Sequence, residues 1–368
     1  MMLSHPNVIL HCLFVYLTAA QKNHELEQIQ ILFRHGDQVP GFTDIYGNDP
    51  YLSLYQEVGF GQITKTGMQR MYKVGQILKT YYDYFIDEYQ YYEVHAYSTD
   101  RDITKVSLQL VLAGLYPQTP QKSWYKDMKW LPIPTHYDED KNNFLSIGFF
   151  GRCQKKFSKL YQQALNTPEM VAQYRRYEAI GTYLSNKTGI LPKLSSLLHL
   201  HNNIHAIRSM GLDFPSWCSQ KIFEDLQAIT KIVYNASEHT TSMKKITAGP
   251  ILKRFMQNMD TGIKRVYLYS ADDSQIVAIT KALDIVGVPE IPNYGTTLIT
   301  EKLRGDDDQI YVRIVLLSSL NKKPTPLKLR NCGYECPMTK FKEIVDGLIP
   351  DDKDGRCTQN RKMKKKSA

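Results

Sequence analysis

The chain has 368 residues, of which 42% are hydrophobic and 23% charged, a composition typical of a globular protein with one large domain or two. Its net charge of +9 would suggest a nucleic-acid-binding protein, but the basic run at residues 361–366 supplies five of these charges. The rest of the chain is only mildly basic, so we expect a solvated basic tail and no nucleic-acid partner.

Residues 1–20 have the pattern of a secretory signal peptide. They contain no Asp, Glu, Lys or Arg, and an apolar run extends from Val8 to Leu17. This run is too short to cross a membrane, and no later stretch approaches the roughly 18 apolar residues that a span needs. We therefore expect a secreted protein without a membrane span. The lysosomal lumen is the alternative location, which we favour less. An N-terminal helix packed on the core is the alternative interpretation of the segment.

The next feature is an apolar stretch, residues 29–33, that predicts a strand and ends abruptly at Arg34, His35 and Gly36. In an open α/β sheet, reacting groups lie just beyond the carboxyl ends of strands. An arginine offers paired donors to phosphate, and a neutral imidazole can attack phosphorus. A buried structural histidine is the competing interpretation of His35.

Two further elements follow in the first third of the chain. Residues 41–61 are rich in Gly, Pro, Asp and Tyr, which predicts a loop at the rim of a pocket. Helical spacing of apolar residues then predicts a helix that ends near Phe85. A second strand, residues 94–98, runs into Ser98-Thr99-Asp100, whose side chains are good N-caps for another helix.

From about Asp138 to Met243 the pattern is helical and predicts an inserted cap, whose aromatic residues we interpret as packing. A strand at Arg265–Ala271 then ends at Asp272 and Asp273, and a helix follows it. Two strands that end in ionisable residues fit one crevice at the edge of a sheet. The last predicted strand is Gln309–Leu317.

Five cysteines follow the signal peptide, namely Cys153, Cys218, Cys332, Cys336 and Cys357. An odd number in an oxidising compartment predicts two disulfides and one free thiol. Cys332 and Cys336 are close enough in sequence to bond to each other. A zinc site is the alternative for this pair, but it lacks a second ligand pair nearby.

Two sequence motifs predict glycosylation of an exported chain. Asn186 and Asn235 each begin an Asn-X-Ser/Thr sequon. We expect glycans there if these asparagines are exposed.

Five motifs together resemble those of the histidine acid phosphatases, and they occur in the same order. They are Arg34-His35-Gly36, Ser98-Thr99-Asp100, Leu112-Ala113-Gly114-Leu115-Tyr116-Pro117, Trp130-Leu131-Pro132-Ile133-Pro134, and Tyr269-Ser270-Ala271 with Asp273. The run Ser107-Leu108-Gln109-Leu110-Val111-Leu112 is most similar to the secreted insect venom branch. The resemblance covers almost the whole mature chain.

The resemblance implies an α/β fold, an α/β/α sandwich with a mixed central sheet plus an inserted, mainly helical cap. We divide the chain into a signal peptide, a discontinuous core, a cap and a tail with a basic end. These segments are residues 1–20, 24–135 with 244–345, 136–243 and 346–368, respectively.

The resemblance also implies roles for single residues. His35 matches the nucleophile that becomes phosphorylated, Asp273 the proton donor and Arg34 a phosphate-binding residue, with no metal and no cofactor. The substrate would be a phosphomonoester or another small anion, and homodimers occur among relatives.

Disulfides carried over from the family would join Cys153 to Cys357 and Cys332 to Cys336. The cysteine that usually bonds to Cys218 in the family is absent, and Thr296 or Thr297 stands near its place.

Three positions depart from the family pattern. Gln38 and Tyr97 stand where arginines usually bind phosphate, although the second position is looser in the insect branch, and Asp272 replaces a histidine. Because two cations are lost and an anion is gained, we expect a degenerate pocket with weak or no activity. The alternative is an active acid phosphatase in which Lys65 or Arg101 replaces the missing charge.

Overall fold

The computed structural model describes residues 24–118, 123–126, 128, 130–140 and 142–350. The predicted signal peptide, the basic run and Cys357 lie outside these residues. Among the residues described, no helix is both long enough and apolar enough to cross a bilayer.

Nine strands of the described chain form one sheet in the order β3-β2-β4-β1-β6-β7-β8-β5, with β9 paired to β7. They are β1 (Glu25–Arg34), β2 (Val94–Ser98), β3 (His136–Tyr137), β4 (Val266–Ala271), β5 (Ile285–Val286), β6 (Thr297–Arg304), β7 (Ile310–Leu317), β8 (Thr325–Leu329) and β9 (Glu335–Pro337). Strands β1 to β4 pair in parallel, whereas the remaining pairs are antiparallel. The sheet is therefore mixed, as predicted.

Twelve helices and one 3-10 turn (Phe42–Asp44) accompany the sheet in the described residues. The helices are α1 (Leu52–Val58), α2 (Lys65–Tyr81), α3 (Asp102–Leu115), α4 (Gln154–Leu165), α5 (Pro168–Arg175), α6 (Glu178–Thr188), α7 (Leu194–Ser209), α8 (Gln220–Ser237), α9 (Thr241–Thr247), α10 (Gly249–Thr261), α11 (Asp273–Ala282) and α12 (Met338–Asp346). Helices α2 and α3 cover one face of the sheet, and α10, α11 and α12 cover the other. This arrangement confirms the predicted α/β/α sandwich.

The alternation of side chains along β1 explains the two layers. Ile31 and Phe33 pack on one face with Met71 of α2, whereas Leu32 packs on the opposite face with Phe255 of α10. Both faces of this central strand are apolar because helices cover both. β1 is thereby fixed from two sides, and its carboxyl end is a rigid place for functional side chains.

Helices α2 and α3 approach each other closely enough to require glycine on both. A Cβ atom built on Gly75 would lie 2.2 Å from the Val111 carbonyl oxygen, and one on Gly114 would lie 2.1 Å from the Tyr72 carbonyl oxygen. Any larger residue would push the helices apart. This contact allows α2 and α3 to pack closely near the C-terminal end of α3.

The structure differs from the prediction at the start of α3. Its N-cap is Arg101, and the side chains of Ser98-Thr99-Asp100 do not cap it. The Thr99 hydroxyl contacts the Thr104 hydroxyl at 2.8 Å, and Asp100 accepts a hydrogen bond from Lys105 at 2.6 Å. Because these good capping side chains are used elsewhere, the helix begins later than its sequence suggests.

Other differences concern short elements. The predicted loop at residues 41–61 contains the 3-10 turn and α1. The antiparallel strands β6, β8 and β9 were not predicted, since their apolar runs are short or interrupted.

Helices α4 to α9 lie between β3 and α10 in the chain, and α9 runs past residue 243, where the predicted cap ends. Their apolar residues form two clusters, one of which includes Val39, Tyr46 and Tyr55 from the segment after β1. Leu200 and Ile204 of α7 belong to the same cluster. The helical segment therefore packs directly on the polypeptide that follows the first motif.

The described residues include some of the cysteines for which disulfides or a free thiol were predicted. A disulfide joins Cys332 and Cys336, whose Cα atoms are 5.2 Å apart, as predicted. Cys218 carries a free, buried thiol. Cys153 also belongs to a disulfide, but Cys357 is outside the description, so their pairing stays a prediction.

The two sequons lie on helices of the predicted cap. Asn186 is exposed on α6, whereas Asn235 is half-buried on α8, where its Oδ1 accepts a hydrogen bond from Lys281 at 2.7 Å. Glycosylation of either residue stays a prediction.

Candidate active site

Two neighbouring parallel strands bring the first and last motifs together. β1 and β4 pair in register up to Arg34 and Ala271, so their carboxyl ends share one edge of the sheet. His35 follows the first strand, and Asp272 and Asp273 follow the second. The two motifs that we expect to line one crevice therefore lie side by side at this edge.

The orientation of the His35 ring defines which nitrogen faces the crevice. The residue is buried, and its Nδ1 lies 2.8 Å from the Gly36 carbonyl oxygen. Because a carbonyl oxygen only accepts, Nδ1 carries a proton in this contact. Nε2 points the other way and lies 3.4 Å from Oδ1 of Asp272.

Asp272 is the N-cap of α11, and its backbone N–H donates to the Gln275 side chain at 3.1 Å. Its carboxylate also contacts the guanidinium of Arg101, the exposed N-cap residue of α3. Burial alone would raise the pKa of Asp272, but Arg101, His35 and Arg34 together lower that pKa below its usual range. Asp272 is therefore an anion that bridges an imidazole and a guanidinium.

Arg34 is buried, and the protein already uses most of its donors. One terminal nitrogen donates to the Pro292 carbonyl oxygen at 2.5 Å, and the other lies 3.1 Å from the Asp273 carboxylate. The guanidinium also stacks over the Tyr294 ring at 4.3 Å. Nε has no hydrogen-bond partner among the described residues. An incoming anion would thus share Arg34 with Asp273.

The other two positions at which we expect a departure from the family pattern hold uncharged residues. Gln38 is buried, and its Oε1 has no partner in the described part of the chain. The Tyr97 hydroxyl donates to Asp138 at 2.8 Å, and its ring stacks on Phe144 at 4.9 Å. Of the two candidate replacement cations, Arg101 reaches Asp272, whereas Lys65 is exposed at the start of α2.

The first motif is anchored by a buried ion pair that sequence reasoning missed. Asp37 is fully buried, and Arg70 of α2 donates to both of its carboxylate oxygens, at 2.5 and 3.1 Å. A bidentate pair of this kind fixes both side chains. The loop that carries His35 is therefore tied to α2.

We expect Arg70→Ala to destabilise the protein by about 3 kcal/mol, because the change leaves the Asp37 carboxylate buried without a partner. Urea denaturation monitored by circular dichroism measures this loss. The matched control is Arg304→Ala, which removes a half-exposed partner of Glu27 and should cost less than about 1 kcal/mol. Equal losses in the two variants would contradict a special role of the Asp37 pair.

Three residues of the helical segment, together with Tyr294 before β6, lie at the crevice, and we had interpreted them as packing or had not singled them out. Tyr234 of α8 hydrogen-bonds to Asp273. The Tyr294 ring lies 4.7 Å from that of His205, which with His201 belongs to α7. Burial is the main cause that lowers the pKa of both histidines, followed by the charge of Arg34. The only sequence signal was their spacing of four residues, which places both on one helix face.

No cluster of three or more potential metal ligands occurs among the residues that the structure describes. What the geometry supports chemically is an imidazole nitrogen beside two carboxylates and two guanidinium groups. Such a set can bind a small anion, transfer a proton and form a bond to an electrophile.

Residues 25–317 match the histidine phosphatase superfamily (branch 2). The venom acid phosphatase Acph-1 of Apis mellifera is 31% identical over 348 residues, which cover 90% of this chain and 88% of that protein. The lysosomal acid phosphatase of Homo sapiens is 27% identical over 346 residues, with 90% and 80% covered. A phytase from Citrobacter braakii shares the fold, with a TM-score of 0.66, 17% identity, and 88% and 98% of the two chains covered.

Proposed function

Because this chain belongs to the histidine phosphatase superfamily (branch 2), as its motifs predicted, we propose that it is a secreted acid phosphatase homologue with a degenerate phosphate pocket. It would hydrolyse phosphomonoesters weakly or not at all. Secretion is supported by the pattern of residues 1–20 and by the similarity to a venom protein. The similarity to a lysosomal protein makes the lysosomal lumen the alternative location.

The proposed reaction uses His35 as nucleophile and Asp273 as proton donor. Nε2 of His35 forms a bond to phosphorus while the ester P–O bond breaks, and Asp273 gives its proton to the leaving oxygen. Water then attacks the phosphohistidine and gives a proton back to Asp273, the N–P bond breaks, and phosphate leaves. Arg34 would hold the phosphoryl oxygens throughout.

One observation carries the claim that this reaction is weak. The Asp272 carboxylate lies 3.4 Å from Nε2 of His35, and a phosphoryl group must come within about 3–3.5 Å of that same nitrogen to react. Two unit charges about 4 Å apart interact by about 4 kcal/mol at an effective dielectric constant near 20. The carboxylate therefore repels the substrate at the point of attack.

The cations of the pocket offset this repulsion only in part. Arg101 is engaged by Asp272, and Arg34 is engaged by Asp273. Gln38 supplies no charge where the family usually has an arginine. Losing one donor aimed at transition-state charge commonly lowers the rate about 100- to 1000-fold.

We also propose that the chain divides into a core and a cap, and that both contribute residues to this site. Residues 24–135 and 244–345 would form the core, because these segments supply eight of the nine strands of the sheet, all except the two-residue strand β3. Residues 136–243 would form the cap over the crevice, since Tyr234 and His201 come from it.

The direct test is turnover of 4-nitrophenyl phosphate between pH 4 and pH 6, together with calorimetric titration of inorganic phosphate. We expect a kcat below about 1 s⁻¹, under the roughly 10 s⁻¹ typical of enzymes, and a phosphate Kd above about 1 mM. Turnover at ordinary rates that His35→Ala abolishes would overturn the degenerate pocket.

A second candidate, an active secreted acid phosphatase, is favoured by the position of Arg101. The Asp272 carboxylate lies between the Arg101 guanidinium and Nε2 of His35. If the Asp272 side chain changed its rotamer, Arg101 would be free to bind phosphate. In that case Arg101→Ala should lower a brisk wild-type turnover by about 100-fold. Lys73→Ala, on the exposed side of α2, is the matched control and should change nothing.

A further inference from the structure

His201 on α7 has a buried ring whose nitrogens are not paired. The residue is only 2% exposed. The Asn202 side chain lies beside the ring, yet neither Nδ1 nor Nε2 has a hydrogen-bond partner of acceptable geometry among the described residues. Native proteins seldom leave buried polar atoms in this condition, so the ring points to a further charged or polar group that it meets in function.

Two charged groups of the crevice face this ring. Arg34 at the end of β1 opposes a positive charge on His201, and Asp273 at the start of α11 favours one. His205 on the same helix stacks at 5.8 Å, and Phe223 of α8 stacks at 5.7 Å and is apolar. The charge on His201 is therefore influenced by Arg34, which would hold a bound phosphate, and by Asp273, the proposed proton donor.

Stacked rings connect His201 to the anion-binding arginine. The His205 ring lies 4.7 Å from Tyr294, and Tyr294 lies 4.3 Å from the guanidinium carbon of Arg34. Tyr294 is also 5.7 Å from the His35 ring. His201 thus lies on the cap wall of the crevice, two rings away from Arg34.

We propose that His201 is a proton acceptor coupled to anion binding: neutral in the free protein, it takes up a proton when a tetrahedral dianion binds beside Arg34. This inference rests on the proposed function, because it requires an anion in the crevice. The protonated ring adds a positive charge that Gln38 does not supply. The cap thereby compensates in part for cations that the core lacks.

The direction of the effect follows from the environment of the ring. Burial, followed by the charge of Arg34, lowers the pKa of His201 to about 4, and Asp273 opposes this shift. A dianion near Arg34 counteracts the positive field, so the pKa of His201 is higher in the complex than in the free protein. Anion affinity therefore rises as the pH falls through the pKa of the complex, and it levels off below about pH 4.

Sulfate is the appropriate probe, because it stays a dianion over this whole range and any proton taken up must bind to the protein. Calorimetric titration at pH 5.5 in two buffers of different ionisation enthalpy gives the number of protons taken up. We expect wild type to take up about one more proton than His201→Phe when sulfate binds. Between pH 5 and pH 6, the factor by which the sulfate Kd rises should be roughly tenfold greater for wild type than for the variant. Because wild type and variant differ only at position 201, the difference isolates His201.

Phenylalanine keeps the stacking on Phe223 and does not titrate, and circular dichroism checks that the variant is folded. His201→Gln is the second variant if the first does not fold. His239→Phe, exposed beyond the end of α8, is the control and should behave like wild type. Sulfate binding with equal proton uptake in wild type and both His201 variants would overturn this inference alone, whereas no sulfate binding at any pH would overturn the proposed anion site as well.

Discussion

Replacing His35 with alanine is expected to remove whatever phosphomonoesterase activity the protein has, by about a thousandfold or down to background, since the reaction loses its nucleophile. The expectation rests on Nε2, which faces the crevice because Nδ1 is occupied by the Gly36 carbonyl oxygen. The measurement is turnover of 4-nitrophenyl phosphate at pH 5.

A second measurement identifies the covalent step. Wild-type protein mixed with radiolabelled substrate and quenched in alkali should retain labelled phosphohistidine, and His35→Ala should retain none. His239→Ala is the control and should match wild type, since its side chain is exposed away from the crevice. Activity that survives in His35→Ala would mean that a different group or a contaminant performs the hydrolysis.

The strand ends of this fold could be predicted because local sequence determines them. The apolar run before Arg34 and that before Asp272 each end in charge, and the parallel pairing of β1 and β4 brings them to one edge. The family motifs supported the same arrangement. The short disulfide followed from the spacing of its cysteines, whereas the mixed sheet with two helical layers was expected from the family resemblance, and β6, β8 and β9 were not predicted.

The rest of the site depends on contacts between distant segments, which periodicity does not reveal. Arg101, which follows the predicted capping residues and is itself the N-cap of α3, reaches Asp272 across the sheet edge. Tyr234 and His201 have the spacing of ordinary core residues, and they face the crevice because the helical segment packs over it. The pair of Asp37 and Arg70 likewise joins a loop to a helix 33 residues away.

Restoring the lost cations should have the opposite effect to deleting the nucleophile. In the double variant Gln38→Arg with Asp272→His, we expect kcat/KM for 4-nitrophenyl phosphate at pH 5 to rise by about 100-fold, the size of one restored transition-state donor. The repulsive carboxylate beside Nε2 is gone, a guanidinium replaces a neutral amide, and Arg101 is released from its ion pair. The gains need not add, because the groups act on one phosphate.

Asp272→Asn separates charge removal from charge addition. Asparagine is also a good N-cap, so α11 should remain intact and only the negative charge is lost. We expect kcat/KM of this single variant to be about tenfold above that of wild type, and below that of the double variant, because the anion near the attacking nitrogen disappears while no cation is added. Thermal denaturation verifies that all three proteins are folded. If folded double variant and wild type turn over substrate equally slowly, the charges at these two positions do not limit the reaction, and the proposed cause of weak activity is wrong.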